Sequence, residues 1–505
     1  MRCWQTHCLL ECDSAAHMIS SSLRSILLAL AVFMTATASG SPEPSIRSTM
    51  RIRLMEQLTP RTATIQAGPQ GLVVYDGTRE RPLFTVPANG TLTIRRAQNQ
   101  VSVESRFGNA DTKNIRLEPQ GPGGMSITVG TTRRDYSGNL FVTPERGNSA
   151  LQLVNHVALE EYVASVVASE YGLGDLEGSK AMAVIARTYG LKVINSSDDS
   201  YDHVDHTASQ VYRGTATVTA MARQAARDTA GEVLLHDGRL IEAVYFSSSG
   251  GHTANNEDVW QSSAHPYLRG RNDPWDQDAK HHQWTYTLDA GDVHNALKNA
   301  LGLDLESVRV GSRSADGRAA TIDLVPRRGK TRPISADEFR RIIREAFGQT
   351  SLKSTRFELK RRGENYVFEG GGFGHGVGLS QYGANGMAKA GKTYREILDF
   401  YYTDVQLERR SVQGNAAPSA LPTTAPAPTD RLRGRFLPGS GQSSSAATVP
   451  VRPVAVPVET SSAGASVPDR GGRIDSRNTN SRTTTAPSAR TAPAQNSRTE
   501  TRRGW

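Results

Sequence analysis

The chain has 505 residues, 22% of them charged and 6% aromatic, with a formal net charge of +9 and three cysteines. Cys3, Cys8 and Cys12 all precede a short apolar run, so a chain cut after that run has no disulfide and no thiolate zinc site. Export and the lack of aromatics interleaved with the basic residues disfavour nucleic-acid binding.

The apolar run, Ile26 to Ala38 (ILLALAVFMTATA), follows Arg24 and closes on Ala36-Thr37-Ala38. It reads as a signal-peptide core with an A-x-A cleavage site, too short for a permanent span. Residues 1–38 are therefore expected to be a leader, with Met18 as an alternative start, and the mature protein to be exported to the cell envelope.

Residues 48–150 read as a β-rich lobe. Leu72–Gly77, Leu92–Ala97, Val101–Ser105 and Met125–Gly130 alternate apolar and polar residues between Gly, Pro and Asn breaks. Tyr136–Val142 and Leu151–Val154 suggest a hairpin, and Gly231–Ser248 a further β segment. Helical spacing predicts helices over Ala290–Ala300, Ser335–Phe347 and Tyr394–Tyr401. The interleaving predicts a mixed α/β (α+β) fold without regular βαβ alternation.

The richest stretch runs from Leu159 to Ile194. Leu159, Tyr162, Val163, Val166 and Val167 mark one face of a helix that ends at Glu170. Tyr171-Gly172-Leu173-Gly174-Asp175 is expected to stop it through a left-handed glycine. A second helix follows, with Ala181, Val184, Ile185 and Leu191 apolar and Lys180, Arg187 and Tyr189 as polar anomalies. A carboxyl at a helix C-terminus faces the negative dipole end, and burial adds to that, so Glu170 is a candidate general acid. The plainer alternative is a solvated helix end, the reading given to Glu160, Glu161 and Glu177.

Beyond residue 410 the chain is Ala, Pro, Ser, Thr and Arg. From 411 to 505 it holds twelve arginines against five acids, which is +7 of the total +9. Such a composition predicts a disordered tail, suited to anionic envelope polymers or simply solvated.

Four ordered blocks resemble the SpoIID/LytB family of stage II sporulation protein D and amidase enhancers. They are Glu170 with Lys180 and Ala186-Arg187-Thr188-Tyr189; SQVYRG at Ser209–Gly214; AVYFSSSGGHTANNEDVW at Ala243–Trp260, with YLRG at Tyr267–Gly270 and DPWD at Asp273–Asp276; and GGFGHGVGLSQYGANGMAKAG at Gly371–Gly391, followed by Tyr394–Tyr402. The resemblance implies a family core over residues 151–405. It also implies a lytic transglycosylase that cleaves between N-acetylmuramic acid and N-acetylglucosamine in stripped peptidoglycan strands. Glu170 would be its acid and then its base. Lys180, Arg187 and Tyr189 would orient the carboxyl or bind sugar, and Ser247, Ser249, His252, His375 and Gln381 would line the cleft. No cofactor or metal is implied for this chain. Members place a proline two residues after the glutamate, where Gly172 stands here. Some members carry a Cys/His zinc site before the Q-V-Y string, where this chain offers Asp202, His203, Asp205 and His206. The rival function is a non-catalytic wall-binding module that stimulates a cell-wall amidase. A third is an envelope serine hydrolase, although Ser247-Ser248-Ser249-Gly250-Gly251 lacks the G-x-S-x-G elbow.

Overall fold

In the N-terminal half, alternation along the chain becomes alternation of burial: Thr49–Leu54, Thr62–Ala67, Leu72–Asp76 and Met125–Val129 each bury every second side chain. The computed structural model describes residues 45–192, 194, 200–260 and 262–411. The expected leader with its cysteines and the arginine-rich tail lie outside the described residues.

Seven strands form one sheet in the order His203–Val204, Thr49–Leu54, Leu151–Ala158, Asn139–Pro144, Ile115–Pro119, Leu72–Asp76 and Arg81–Val86. Six form another, in the order Thr132–Tyr136, Met125–Val129, Thr62–Ala67, Thr91–Ala97, Gln100–Glu104 and Ala110–Thr112. Ile52, Val74 and Leu117 of the first and Ile65, Ile94 and Ile127 of the second bury into one apolar core. The predicted hairpin is present, with Asn139–Pro144 antiparallel to Leu151–Ala158. Leu151–Ala158 runs directly into the first helix.

The helices are α1 (Leu159–Glu170), α2 (Leu176–Lys192), α3 (Ala220–Asp228), α4 (Asn256–Val259), α5 (Ala290–Leu301), α6 (Ala336–Phe347), α7 (Gln381–Lys389) and α8 (Tyr394–Tyr401). The fold is thus a mixture of helix and strand of the α+β kind. Among the described residues no helix is long and apolar enough to cross a membrane. The apolar stripe of α1 and residues Ala181, Val184 and Ile185 of α2 join the core of the strand lobe.

Two expectations need correction. The left-handed glycine is not at the end of α1: Tyr171 closes that helix at φ −130°, and Gly174, three residues later, takes φ +81°. The other concerns Gln381–Lys389, which is assigned no helix from sequence and forms α7. Gly383 and Gly386 cost that helix roughly 1 kcal/mol each in propensity. Packing requires them, because a Cβ would lie 1.9 Å from the Tyr401 hydroxyl at Gly383 and 2.0 Å from the Trp275 carbonyl at Gly386.

Between Trp284 and Gly370 the chain builds a second apolar core of its own. It joins Val293 and Leu297 of α5, Phe339, Ile342 and Ile343 of α6, and Ile322, Leu324 and Phe368 from two three-stranded sheets. Phe339 is fully buried there. Phe339→Ala should destabilise this lobe by about 3–5 kcal/mol in urea unfolding. A loss under 1 kcal/mol would mean the lobe is not packed around that ring.

Candidate functional site

Helix α1 ends by carrying Glu170 into the protein, where it has no solvent exposure. Oε1 accepts the Val211 N–H at 2.8 Å, whereas Oε2 meets no hydrogen-bond partner among the described residues. The Glu170 backbone carbonyl accepts from Nε2 of Gln381, at the first turn of α7, at 2.8 Å. Burial pushes the carboxyl pKa up to about 7, and the Val211 N–H, Tyr245 and Arg213 only partly counter it. Near neutrality the group is thus divided between acid and carboxylate, ready to give or take a proton.

Around it runs a line of buried polar groups. The Tyr162 hydroxyl donates to Gln210 Oε1 at 2.7 Å, and Gln210 Nε2 donates to the Tyr245 hydroxyl at 3.3 Å. The Tyr245 carbonyl accepts from His375 Nε2 at 2.9 Å, while His375 Nδ1 accepts from Val377 N–H at 3.1 Å. One ring nitrogen donates and the other accepts, so His375 is held neutral. Burial takes its pKa down to about 3. Phe246 and Trp260 flank the ring at 5.4 and 5.1 Å between centroids.

The serine-glycine and glycine-histidine blocks meet through one carboxyl group. Asp276 is fully buried and accepts from Ser248 Oγ (2.8 Å), Ser249 N–H (3.1 Å), Gly250 N–H (2.8 Å), Ser380 Oγ (3.0 Å) and His282 Nδ1 (3.3 Å). Gly250, at φ +64°, lets the blocks touch, since its Cβ would come within 2.4 Å of the Gly372 nitrogen. Ser247 contributes its carbonyl, accepting from Tyr382 N–H at 3.0 Å, and Ser249 Oγ accepts from Gly251 N–H at 3.1 Å. Asp273 accepts from the Tyr401 hydroxyl at 2.9 Å, and burial with Asp276 nearby raises its pKa to about 6.

Of the residues singled out in the sequence, Gln381 touches Glu170 directly, His375 reaches it through Tyr245, and Tyr189 is buried with its ring 6.3 Å from that of His203. Others are engaged elsewhere. Lys180 pairs with Glu177 (2.9 Å) and Asp228 (3.5 Å). Arg187 is wholly buried; it grips Glu160 through Nε (3.0 Å) and Nη2 (2.5 Å) and donates to the Glu232 carbonyl at 3.0 Å. Glu160 and Glu177 are therefore ion-pair partners rather than solvated helix positions, and Glu177 also accepts the Tyr394 N–H at 2.8 Å. His252 Nδ1 donates to the Thr253 carbonyl at 2.6 Å. Asp202 accepts from Arg51, His203 Nε2 donates to the Gly190 carbonyl, Asp205 accepts from Arg134, and His206 lies 3.4 Å from Glu56. Val211, Gln210, Arg213, Tyr245, Asp276 and His282 were not singled out. The first five stand in the SQVYRG, AVYF and DPWD blocks, and no local pattern marks which of their atoms meet.

A family model described as stage II sporulation protein matches residues 147–236, and one for a domain of unknown function matches 272–378. Stage II sporulation protein D of Bacillus subtilis is 37% identical over 277 residues, covering 51% of this chain and 77% of that one. An uncharacterized protein of Brachyspira hyodysenteriae is 30% identical over 365 residues, covering 71% of this chain and 92% of its own. The amidase enhancer of Bacillus subtilis is 31% identical over 277 residues, 46% of this chain and 38% of that protein. The chain belongs to the SpoIID/LytB family.

The raised pKa of Glu170 has a consequence for stability. Its native value, about 7, exceeds its ordinary 4.5, so the folded chain holds this proton more tightly than the unfolded one. The contribution is fully present below pH 4.5 and is lost as pH rises through 7, amounting to at most about 3 kcal/mol. Glu170→Gln should remove that part of the slope and gain on the parent chain between pH 5 and 8 in denaturant titrations. Parallel pH profiles for parent and variant would contradict it.

Proposed function

We propose that the chain is a peptidoglycan lytic transglycosylase of the cell envelope, with Glu170 as its acid and base. The observation that carries this reading is the Glu170 carboxyl, raised to about 7 and left with one unengaged oxygen. A lytic transglycosylase needs one carboxyl group rather than the pair of a hydrolysing glycosidase. Protonated Glu170 would give its proton to the glycosidic oxygen between N-acetylmuramic acid and N-acetylglucosamine. The carboxylate so formed would take the proton of the muramoyl 6-hydroxyl as that oxygen closes on C1, leaving a 1,6-anhydro end. Gln381 would hold the end of α1, and the Tyr162–Gln210–Tyr245 line would set the carboxyl's orientation. Because Glu170 is sealed from solvent, a strand must part the elements that carry Tyr245 and Gln381 before it reacts. Residues 48–150 would serve as a supporting lobe, 151–405 as the core, and the arginine-rich tail as a tether to anionic wall polymers.

The complete burial of Glu170 also favours a second reading, in which the chain enhances a cell-wall amidase and the carboxyl is structural. The relative named amidase enhancer suggests such a partner. The two readings part on one variant. With denuded glycan strands as substrate, Glu170→Gln should fold and lose anhydromuramoyl product by roughly 10²–10⁴-fold, the usual scale of general acid–base catalysis. Parent chain that yields no anhydro product on purified strands, yet speeds an amidase as well as Glu170→Gln does, would establish the enhancer reading instead.

A further inference from the structure

A groove of about 940 Å³, whose lining does not include Glu170, opens where the serine-glycine loop meets the lobe of the second core. Its walls include His282, Trp284, Arg313, Arg356 and Glu369, and all but Gly250 of its lining falls inside the matched domain of unknown function. The charges in it are unevenly satisfied. Glu358 pairs with Arg313 at 2.8 Å, and Glu369 pairs with Lys360 at 2.5 Å and Arg362 at 3.2 Å. Arg356 donates to the Gly250 carbonyl but has no carboxylate partner among the described residues. Behind it, Arg318 is fully buried, pairs with Asp316 at 2.8 Å and leaves Nη1 without a hydrogen bond among the described residues. Asp316 and Asp276 both act on the buried Arg318, so the cation left facing the groove without a carboxylate partner among the described residues is Arg356.

Glycine backbone borders Arg356 and His282. Gly251 takes φ +101°, and a Cβ there would lie 3.6 Å from His282 Cε1 and 3.7 Å from Arg356 Nη1. At Gly371 a Cβ would press to 2.7 Å on the His282 carbonyl and 3.5 Å from Arg356 Nη1. His282 gives its Nδ1 proton to Asp276 at 3.3 Å, which leaves Nε2 as the ring's remaining polar atom. A planar guanidinium fork suits a carboxylate, and an imidazole nitrogen beside it suits a neighbouring hydroxyl or amide N–H. Gln283 and Thr285 add hydrogen-bonding groups of the kind a polyol engages.

The geometry points to a second glycan site here, in which Arg356 takes the carboxylate of an acidic sugar and His282 an adjacent donor. The identity of that sugar, the lactyl-bearing muramoyl unit of a stripped strand, rests on the glycan reading above; the carboxylate preference does not.

Binding can be measured apart from turnover in the full Glu170→Gln chain, using denuded strands with native or amidated lactyl carboxyls. Native strands should bind about tenfold more tightly than amidated ones. Arg356→Gln, which keeps a donor for the Gly250 carbonyl, should erase that preference, and Arg356→Lys should keep part of it. Equal affinity for both strands, no binding of either, or an undiminished preference in Arg356→Gln would overturn the inference. So would competition by inorganic phosphate with no effect of amidation. The parent comparison decides the matter even if a variant fails to fold. Strands that bind with the stated preference but are not cleaved by the unmutated chain would sink the transglycosylase reading alone. Cleavage without the preference would sink the groove alone.

Discussion

Five donors converge on Asp276, and the arrangement of the middle of the molecule follows from that cage. A buried carboxyl needs its oxygens satisfied, and here the donors come from the serine-glycine loop, from the serine that caps α7 and from the histidine of the groove. Gathering them pins two glycine-rich segments against each other, and only glycine lets those backbones come so close. Once Ser380 is fixed, α7 begins at Gln381, and Gln381 reaches the end of α1.

Glu170 is the counterpart of Asp276. Both are wholly out of water, but Glu170 has only the Val211 N–H and the Tyr245 side chain to set against its burial where Asp276 receives five donors. Burial against few donors is what raises the Glu170 pKa. The same fold thus provides a carboxyl with a raised pKa at the end of α1 and a scaffolding carboxyl further along the chain. His375, locked neutral between Tyr245 and Val377, belongs with the scaffold: it aligns Tyr245 and carries no transferable proton.

Much of this was legible in the chain, and what was not has physical reasons. The period-2 strands and the apolar face of α1 follow from local spacing, so they could be read directly. Helix α7 was hidden because Gly383 and Gly386 oppose helix propensity and are there for the close approach of Tyr401 and Trp275. The carboxyl's partners were hidden by distance: Val211 lies 41 residues from Glu170 and Gln381 lies 211. Arg187 and Lys180 stand near Glu170 in sequence, but their charges are used on Glu160, Glu177 and Asp228. Helical neighbours share a face only at particular spacings, and proximity along the chain did not reveal which face these take.

An acid–base role for Glu170 requires that it hold its proton near neutrality in the folded chain. A carbon-13 NMR titration of the glutamate carboxyls, with the Glu170 resonance assigned by its absence in Glu170→Gln, measures this directly. A midpoint near 7 is the predicted result. A midpoint at or below the ordinary 4.5 would show a carboxyl that is solvated or fully satisfied, and would remove the basis for Glu170 as an acid.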